Sequence, residues 1–260
     1  MTIMINGKFV SKKDAKIPVW SSFGRGYGIF ETLRTYGNKK LFQTKEHIDR
    51  LFNSAKQIDL KLRFNKTQIS KMIEKTAKKS PHKSQIIKIT AIEDYLIIIS
   101  KQLKLDKKIY DGVKCMSENA VRSLPEVKSI SYIASYLSHK RAEKKGYFDA
   151  ILIDKNGEVY EGAYSNLFWF EKDTLCTRKD EVLPGITRDT IFKISPFKIK
   201  FKKIKLSQLK KRKEIFLTTS VKGIVPITQI DKTKIGNGKS GTNTKLLMKC
   251  FDEYVSSSLA

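Results

Sequence analysis

Cysteine, histidine and proline are scarce in this chain of 260 residues, which has 3, 3 and 6 of them. Cys115, Cys176 and Cys250 lie far apart and form no Cys-x-x-Cys pattern, and His47, His82 and His139 stand alone. That excludes a disulfide framework and a zinc site, and reduced thiols in a cytoplasmic protein are expected. Long apolar runs are also missing. No stretch reaches the roughly 20 apolar residues that span a bilayer, and the N-terminus has no basic segment followed by an apolar one, so neither a membrane protein nor an exported one is expected. Acidic residues are few, with 26 Asp and Glu against 52 Lys and Arg, a formal net charge of +26. Such a balance points towards nucleic acid. Yet the lysines are spread over the whole chain, with short clusters such as Lys210 to Lys213, and no aromatic and basic platform accompanies them. Solvated faces are therefore expected, without a specific nucleic-acid partner. No internal repeat or low-complexity tract is present.

Hydrophobic periodicity divides the chain. Asn6-Gly7 predicts a hairpin over Met4 to Val10, a strand runs from Gly28 to Tyr36, and a return strand covers Lys40 to Gln43. Thr44 is placed to cap a helix whose stripe is Ile48, Leu51, Ala55 and Ile58. Arg50 lies off this stripe. Asn65 or Thr67 opens a second helix ending near Pro81, and Ile86 to Ile92 and Tyr95 to Ser100 read as a hairpin across Glu93-Asp94. These elements predict a small α+β domain over residues 1–117, and 118–126 reads as the connection to a larger domain over 127–260. The second part opens with a helix through Ile133, Tyr136, Leu137 and Ala142 that stops at Gly146. Strands Ala150 to Asp154, Val159 onward, Ile215 to Thr218 and Ile224 to Ile230 follow, and Thr242-Asn243 opens a terminal helix.

The chemistry concentrates in Val159 to Phe168, where Glu161-Gly162-Ala163-Tyr164-Ser165-Asn166 places a carboxylate at the start of an apolar, aromatic strand. Downstream, Leu183-Pro184-Gly185-Ile186-Thr187-Arg188 is a turn that opens a helix. Its first N–H groups suit an anion, and the Thr187 hydroxyl suits a phosphate. Upstream, Lys128 is a reactive-amine candidate. An amine, a carboxylate and a phosphate cup are what pyridoxal phosphate requires, with the carboxylate set against the pyridinium nitrogen. A domain interface is the expected place for such a site.

In order and spacing these motifs resemble the class IV, or fold-type IV, pyridoxal-phosphate aminotransferases, a group that includes aminodeoxychorismate lyase. Gly28-Ile29-Phe30-Glu31-Thr32-Leu33-Arg34 is similar to the family's N-terminal strand, and His47-Ile48-Asp49-Arg50-Leu51 with Ser54-Ala55 to the helix whose arginine contacts the phosphate. Lys128-Ser129-Ile130-Ser131-Tyr132 resembles the segment with the Schiff-base lysine and a ring-contacting tyrosine. Leu217 to Val221 followed by Pro226 resembles the second phosphate loop. The resemblance implies a two-domain α/β fold, with a small N-terminal domain and a larger one built on a mixed, barrel-like sheet. It implies cofactor contacts from Arg50, Lys128, Tyr132, Glu161, Ile186, Thr187, Ser220 and Val221, substrate contacts from Phe30, Arg34 and Lys88, and a homodimer acting on a small amino substrate. Departures at Tyr27, at Ser131 and after Thr90 fall on the substrate pocket.

Thr32 stands where branched-chain transaminases of the family show glycine. With the shortness of the chain, it directs the expectation to aminodeoxychorismate lyase, with Thr32 assisting proton transfer beside Lys128. Thr32 also suits any strand as a β-branched residue. The alternative is an amino-acid transaminase of the branched-chain type. A D-amino-acid transaminase is disfavoured, because Ala91-Ile92 continues as Glu93-Asp94-Tyr95 without an Arg-x-His trap. A basic anion- or RNA-binding protein on a degenerate scaffold is the non-enzymatic reading, opposed by the joint presence of Lys128, Glu161 and Arg50.

Overall fold

The computed structural model describes residues 1–18 and 20–259. The chain forms two compact units, residues 1–104 with 127–131 and 258–260, and residues 105–126 with 132–257. The first contains β1 (Thr2–Ile5), β2 (Lys8–Val10), β3 (Ile29–Tyr36), β4 (Lys40–Leu41), α1 (Thr44–Gln57), α2 (Lys66–Lys79), β5 (Gln85–Ile92) and β6 (Tyr95–Gln102). The strands make one antiparallel sheet in the order β2-β1-β6-β5-β3-β4. Asn6 and Gly7 both take positive φ, 47° and 82°, which suits the twist of the β1–β2 hairpin. In β3 the residues alternate between buried and half-buried, so Ile29, Glu31, Leu33 and Thr35 face the interior and Phe30, Thr32, Arg34 and Tyr36 the other side. Ile29, Leu33, Ile87, Ile89 and Ile98 of the sheet pack with Ile48, Leu51, Ile69 and Ile73 of the two helices. Each such buried side chain contributes about 1.5–3 kcal/mol of hydrophobic stabilisation.

Helix starts differ in mechanism. Asn65 and Gln68 form a reciprocal capping box at α2. Thr44 is not a cap: α1 begins at Thr44 itself, after Gln43 in a left-handed conformation (φ 53°) with no side-chain cap bond.

The second unit contains β7 (Val113–Asn119), α3 (Ile133–Lys144), β8 (Asp149–Ile153), β9 (Val159–Gly162), β10 (Asn166–Glu171), β11 (Thr174–Thr177), α4 (Ile186–Ile194), β12 (Lys198–Phe201), α5 (Leu206–Leu209), β13 (Ile215–Thr219), β14 (Gly223–Ile230), β15 (Thr233–Lys234) and α6 (Thr242–Leu259). Its sheet is mixed, ordered β12-β11-β10-β13-β14-β7-β8-β9 with β15 against β14. The strand β7 runs parallel to both β14 and β8. The division at 117/118 expected from sequence thus falls inside a strand that hydrogen-bonds within this sheet. Trp169, Leu217, Val225, Ile227 and Ile151 fill the core on the sheet.

The helix α3 buries Ser135, Ser138 and Ala142. Ile133, Tyr136 and Leu137 are exposed. Small side chains let its backbone lie close to β8, whose Ala150 and Leu152 pack with Ala142. The N-terminus of α6 is held by the Glu214 carboxylate, which accepts from the Thr244 amide at 2.8 Å and the Asn243 amide at 3.3 Å. A carboxylate there satisfies open N–H groups and complements the helix dipole. Among the described residues no helix is long and apolar enough to cross a membrane, and no group of His, Cys, Asp or Glu could hold a metal ion.

Candidate active site

In the first unit, the half-buried side of β3 presents Phe30, Thr32 and Arg34. Thr32 pairs in register with Lys88 of β5, so both belong to that side of the sheet. Residues 127–131 run along the start of β3: the Phe30 amide donates to the Lys128 carbonyl and the Ile130 amide to the Gly28 carbonyl, each at 2.9 Å. The Lys128 amide donates to Ser54 Oγ of α1 at 3.3 Å. Gly28 is required here, because a Cβ would lie 2.6 Å from Ile92 and 2.8 Å from the Ala91 carbonyl oxygen. The Lys128 and Lys88 ammonium groups lie 4.6 Å and 4.9 Å from the Phe30 ring centroid. Four of the expected residues, Phe30, Thr32, Lys88 and Lys128, thus gather around one aromatic ring and its strand. The Arg34 guanidinium stacks on Tyr36 at 4.0 Å.

Behind β3, on its buried side, Glu31 is fully enclosed and accepts from Arg50 Nε at 2.7 Å, Arg50 Nη2 at 2.8 Å and His47 Nδ1 at 2.8 Å. Burial pushes the Glu31 carboxyl up. The Arg50 charge and the hydrogen bonds from Arg50 and His47 more than reverse this and hold it well below the usual carboxylate range. Burial depresses His47, and the Arg50 and Lys128 charges add to that against the raising effect of Glu31, so the ring is neutral at pH 7. Helical periodicity put Arg50 at the edge of an apolar stripe, yet it is buried in a bidentate ion pair. Nothing in the sequence marks this pairing, because Glu31 and Arg50 lie on different elements.

In the second unit, Glu161 at the end of β9 is 4% exposed. It accepts from Arg122 Nη1 at 3.0 Å, Asn166 Nδ2 at 3.1 Å and the Leu183 amide at 3.0 Å. Asn166 also donates to the Leu183 carbonyl oxygen at 2.8 Å, which joins β10 to the turn before α4. A Cβ on Gly185 would meet Asn166 Oδ1 at 1.9 Å, so only glycine lets this turn close on the asparagine. Gly185 then caps α4 without a side-chain bond, and Ile186 and Thr187, both buried, form its first turn. Across the sheet Asn166 pairs with Thr218 of β13, the strand on which α4 packs. The Thr218 hydroxyl is buried and has no hydrogen-bond partner among the described residues. Ser220 and Val221 occupy the turn joining β13 to β14. Tyr132 precedes α3, its ring 6.4 Å from that of Tyr164 in an edge-on contact. Sequence reasoning missed Arg122, Asn166 and Thr218. The Asn after Glu161-Gly-x-x-Ser was within reach, whereas Arg122 has only exposed-looking neighbours.

A family model described as amino-transferase class IV matches residues 28–230. The chain belongs to the class IV aminotransferases. Among curated relatives of this family, the putative branched-chain-amino-acid aminotransferase of Methanocaldococcus jannaschii is 30% identical over 278 aligned positions, covering 97% of this chain and 96% of that one. A D-alanine aminotransferase of Listeria monocytogenes is 26% identical, with 98% and 96% covered. Among solved structures, the Escherichia coli branched-chain amino acid aminotransferase superposes with a TM-score of 0.90 at 25% identity, covering 98% of this chain and 94% of that one. A second branched-chain amino acid aminotransferase, from T.th. and solved with pyridoxamine 5'-phosphate, gives 0.91 at 25% identity with the same coverage. The two-unit, mixed α/β class IV fold expected from the motifs is the fold observed.

These findings overturn the aminodeoxychorismate lyase expectation, since the relatives and solved structures above are branched-chain and D-alanine aminotransferases. Chain length and Thr32 had pointed to the lyase. Length does not discriminate, because this class IV chain spans 96% of its archaeal aminotransferase relative. Thr32 is a half-buried residue of an antiparallel strand, a place where a β-branched side chain is favoured for packing alone.

Class IV aminotransferases are pyridoxal-phosphate enzymes, and the residues present fit that group. A buried carboxylate that accepts hydrogen bonds from an arginine, an asparagine and a backbone N–H suits a pyridinium nitrogen. The N-terminus of α4, which has no side-chain cap, and the buried Thr218 hydroxyl of the strand on which α4 packs, unpartnered among the described residues, suit a phosphate.

Proposed function

We propose that this class IV enzyme is an amino-acid transaminase of the branched-chain type. The buried Glu161, held by three donors next to an uncapped helix N-terminus, carries the cofactor part of the reading. The branched-chain aminotransferases that match it over nearly its whole length carry the substrate part. Pyridoxal phosphate, when bound, supplies an electron-withdrawing ring that stabilises negative charge at the substrate α-carbon.

The protein's own groups do the rest. Lys128 would supply the amine for the cofactor's aldehyde, and its Nζ is the group that would move the proton at the substrate α-carbon. Glu161 would hold the proton on the ring nitrogen, and Tyr132 would lie beside the ring. Arg50 and the turns at Ile186-Thr187 and Ser220-Val221 would hold the phosphate. Glu31 and His47 fix the Arg50 guanidinium in one orientation. Phe30, Arg34 and Lys88 contact the substrate, with the two cationic groups suited to its carboxylate, and Thr32 lines the same side of β3. The assembly is a homodimer and the compartment cytoplasmic, in keeping with three free cysteines. The partner is a small amino substrate, not a nucleic acid.

The test is amino transfer from L-leucine, L-isoleucine or L-valine to a 2-oxo acid acceptor by protein loaded with pyridoxal phosphate, with Lys128→Ala alongside. Turnover with all or most of these donors, abolished in the variant, is expected. Cofactor-loaded protein that ignores these donors and uses D-alanine would transfer the assignment to the D-alanine aminotransferases, which also match the chain. Light scattering on the eluted peak checks the dimer.

A further inference from the structure

Arg122 lies on the stretch 120–126, where Val121 and Leu124 on either side of it are exposed at 49% and 46%. Its own side chain is only 13% exposed, because it turns inward and places Nη1 3.0 Å from Glu161 Oε1. The Asn166 amide group and the Leu183 N–H, which also donate to Glu161, are neutral and both reach Oε2. Arg122 is therefore a charged donor on the Oε1 side of the carboxylate. A second arginine, Arg188 of α4, acts on Glu161 through its field only, since its Nη2 is spent on the carbonyl oxygens of Arg178 and Lys179.

We propose that Arg122 is a positioning residue for the cofactor, acting through Glu161. The inference rests on the assignment of Glu161 to the ring nitrogen. A carboxylate buried to this degree takes up a proton unless cations and N–H donors stabilise its charge. A protonated Glu161 could not stabilise a pyridinium. Arg122 keeps Glu161 ionised and fixes one of its oxygens, while Asn166 and Leu183 fix the other. The carboxylate plane is thus set before any ligand arrives, which lowers the cost of binding. Because Arg122 belongs to the stretch after β7 and not to a strand, it also ties that stretch to the carboxylate.

A double-mutant cycle on cofactor affinity tests this. Equilibrium binding of pyridoxal phosphate is followed by absorbance and by quenching of protein fluorescence for the wild type, Arg122→Gln, Glu161→Gln and the double variant, with Arg122→Lys as the conservative change. Circular dichroism and thermal unfolding of each cofactor-free protein establish that it is folded. Arg122→Gln is expected to weaken binding about tenfold, the scale of losing a group that orients a ligating residue. In the Glu161→Gln background the same change is expected to do nothing further, because groups acting through one another are not additive. Arg122→Lys restores part of the affinity. The acid limb of binding should also move to higher pH in Arg122→Gln, because the guanidinium that favours the charged carboxylate is gone.

Equal losses in both backgrounds would show Arg122 touching the ligand by itself and overturn the inference. So would unchanged affinity and an unchanged acid limb in Arg122→Gln. Wild-type protein that binds no pyridoxal phosphate would fail the proposed function and the inference with it, an outcome distinct from the other two.

Discussion

Glu31→Gln is the substitution whose consequences the structure fixes most tightly. The carboxylate is fully buried and receives two hydrogen bonds from Arg50 and one from His47, all between 2.7 and 2.8 Å. Glutamine is nearly the same shape but neutral, and its NH2 faces a donor wherever it turns. Arg50 loses the charge that Glu31 sets against its Nε and Nη2. Breaking one side of a buried pair costs about 3–5 kcal/mol, so unfolding of the cofactor-free protein should move down by about 10 °C for a chain of this size.

The pH dependence follows from the same groups. Glu31 has a folded pKa far below its unfolded one, so its stabilisation is complete above the unfolded value. It is lost progressively as pH falls from about 5. His47 also has a depressed folded pKa, so its contribution is lost as pH falls below about 6.5, where the unfolded imidazole takes up a proton. Urea unfolding of wild type and Glu31→Gln between pH 7 and pH 4 measures both effects. The variant should be weaker at pH 7 and should have a shallower acid slope below pH 5. A difference under about 0.5 kcal/mol at pH 7, the range of an ordinary surface change, would refute the account of a charge-dependent buried triad.

Thr218→Val removes a buried hydroxyl that has no partner among the described residues. The cofactor-free protein should keep or slightly gain stability, while affinity for pyridoxal phosphate falls several-fold as a phosphate donor is lost. Gly185→Ala places a methyl group 1.9 Å from Asn166 Oδ1, so it should lower both thermal stability and cofactor affinity as the turn before α4 moves off Asn166. Gly162→Ala would put a Cβ 2.1 Å from Ser165 Oγ and 3.0 Å from Asp149 Oδ2, and the same two measurements should show the disturbance of the Glu161 turn. Lys128→Ala should abolish amino transfer while leaving reversible, non-covalent cofactor binding, which a spectrum taken after dialysis would show as lost chromophore.

Local pattern determined much of this protein. Runs of apolar and β-branched residues bounded by turns marked β3, β5 and β6, the Asn6-Gly7 pair marked the first hairpin, and Asn65 or Thr67 marked the start of α2. The order of the motifs from Gly28 to Pro226 determined the family, because each motif carries its own backbone requirement: a glycine that must close on a neighbour, or a helix that must begin at an anion. Tertiary structure decided which charged groups meet. Glu31, His47 and Arg50 come from a strand and a helix, and Arg122 and Glu161 are 39 positions apart. Periodicity reports which face of an element is apolar, but it cannot tell a solvated arginine from one whose charge is balanced by a distant carboxylate. The same limit applies to α3, which buries its serines and Ala142 because the sheet lies close to it. Its small side chains permit that approach, but their spacing alone does not mark them as the buried face.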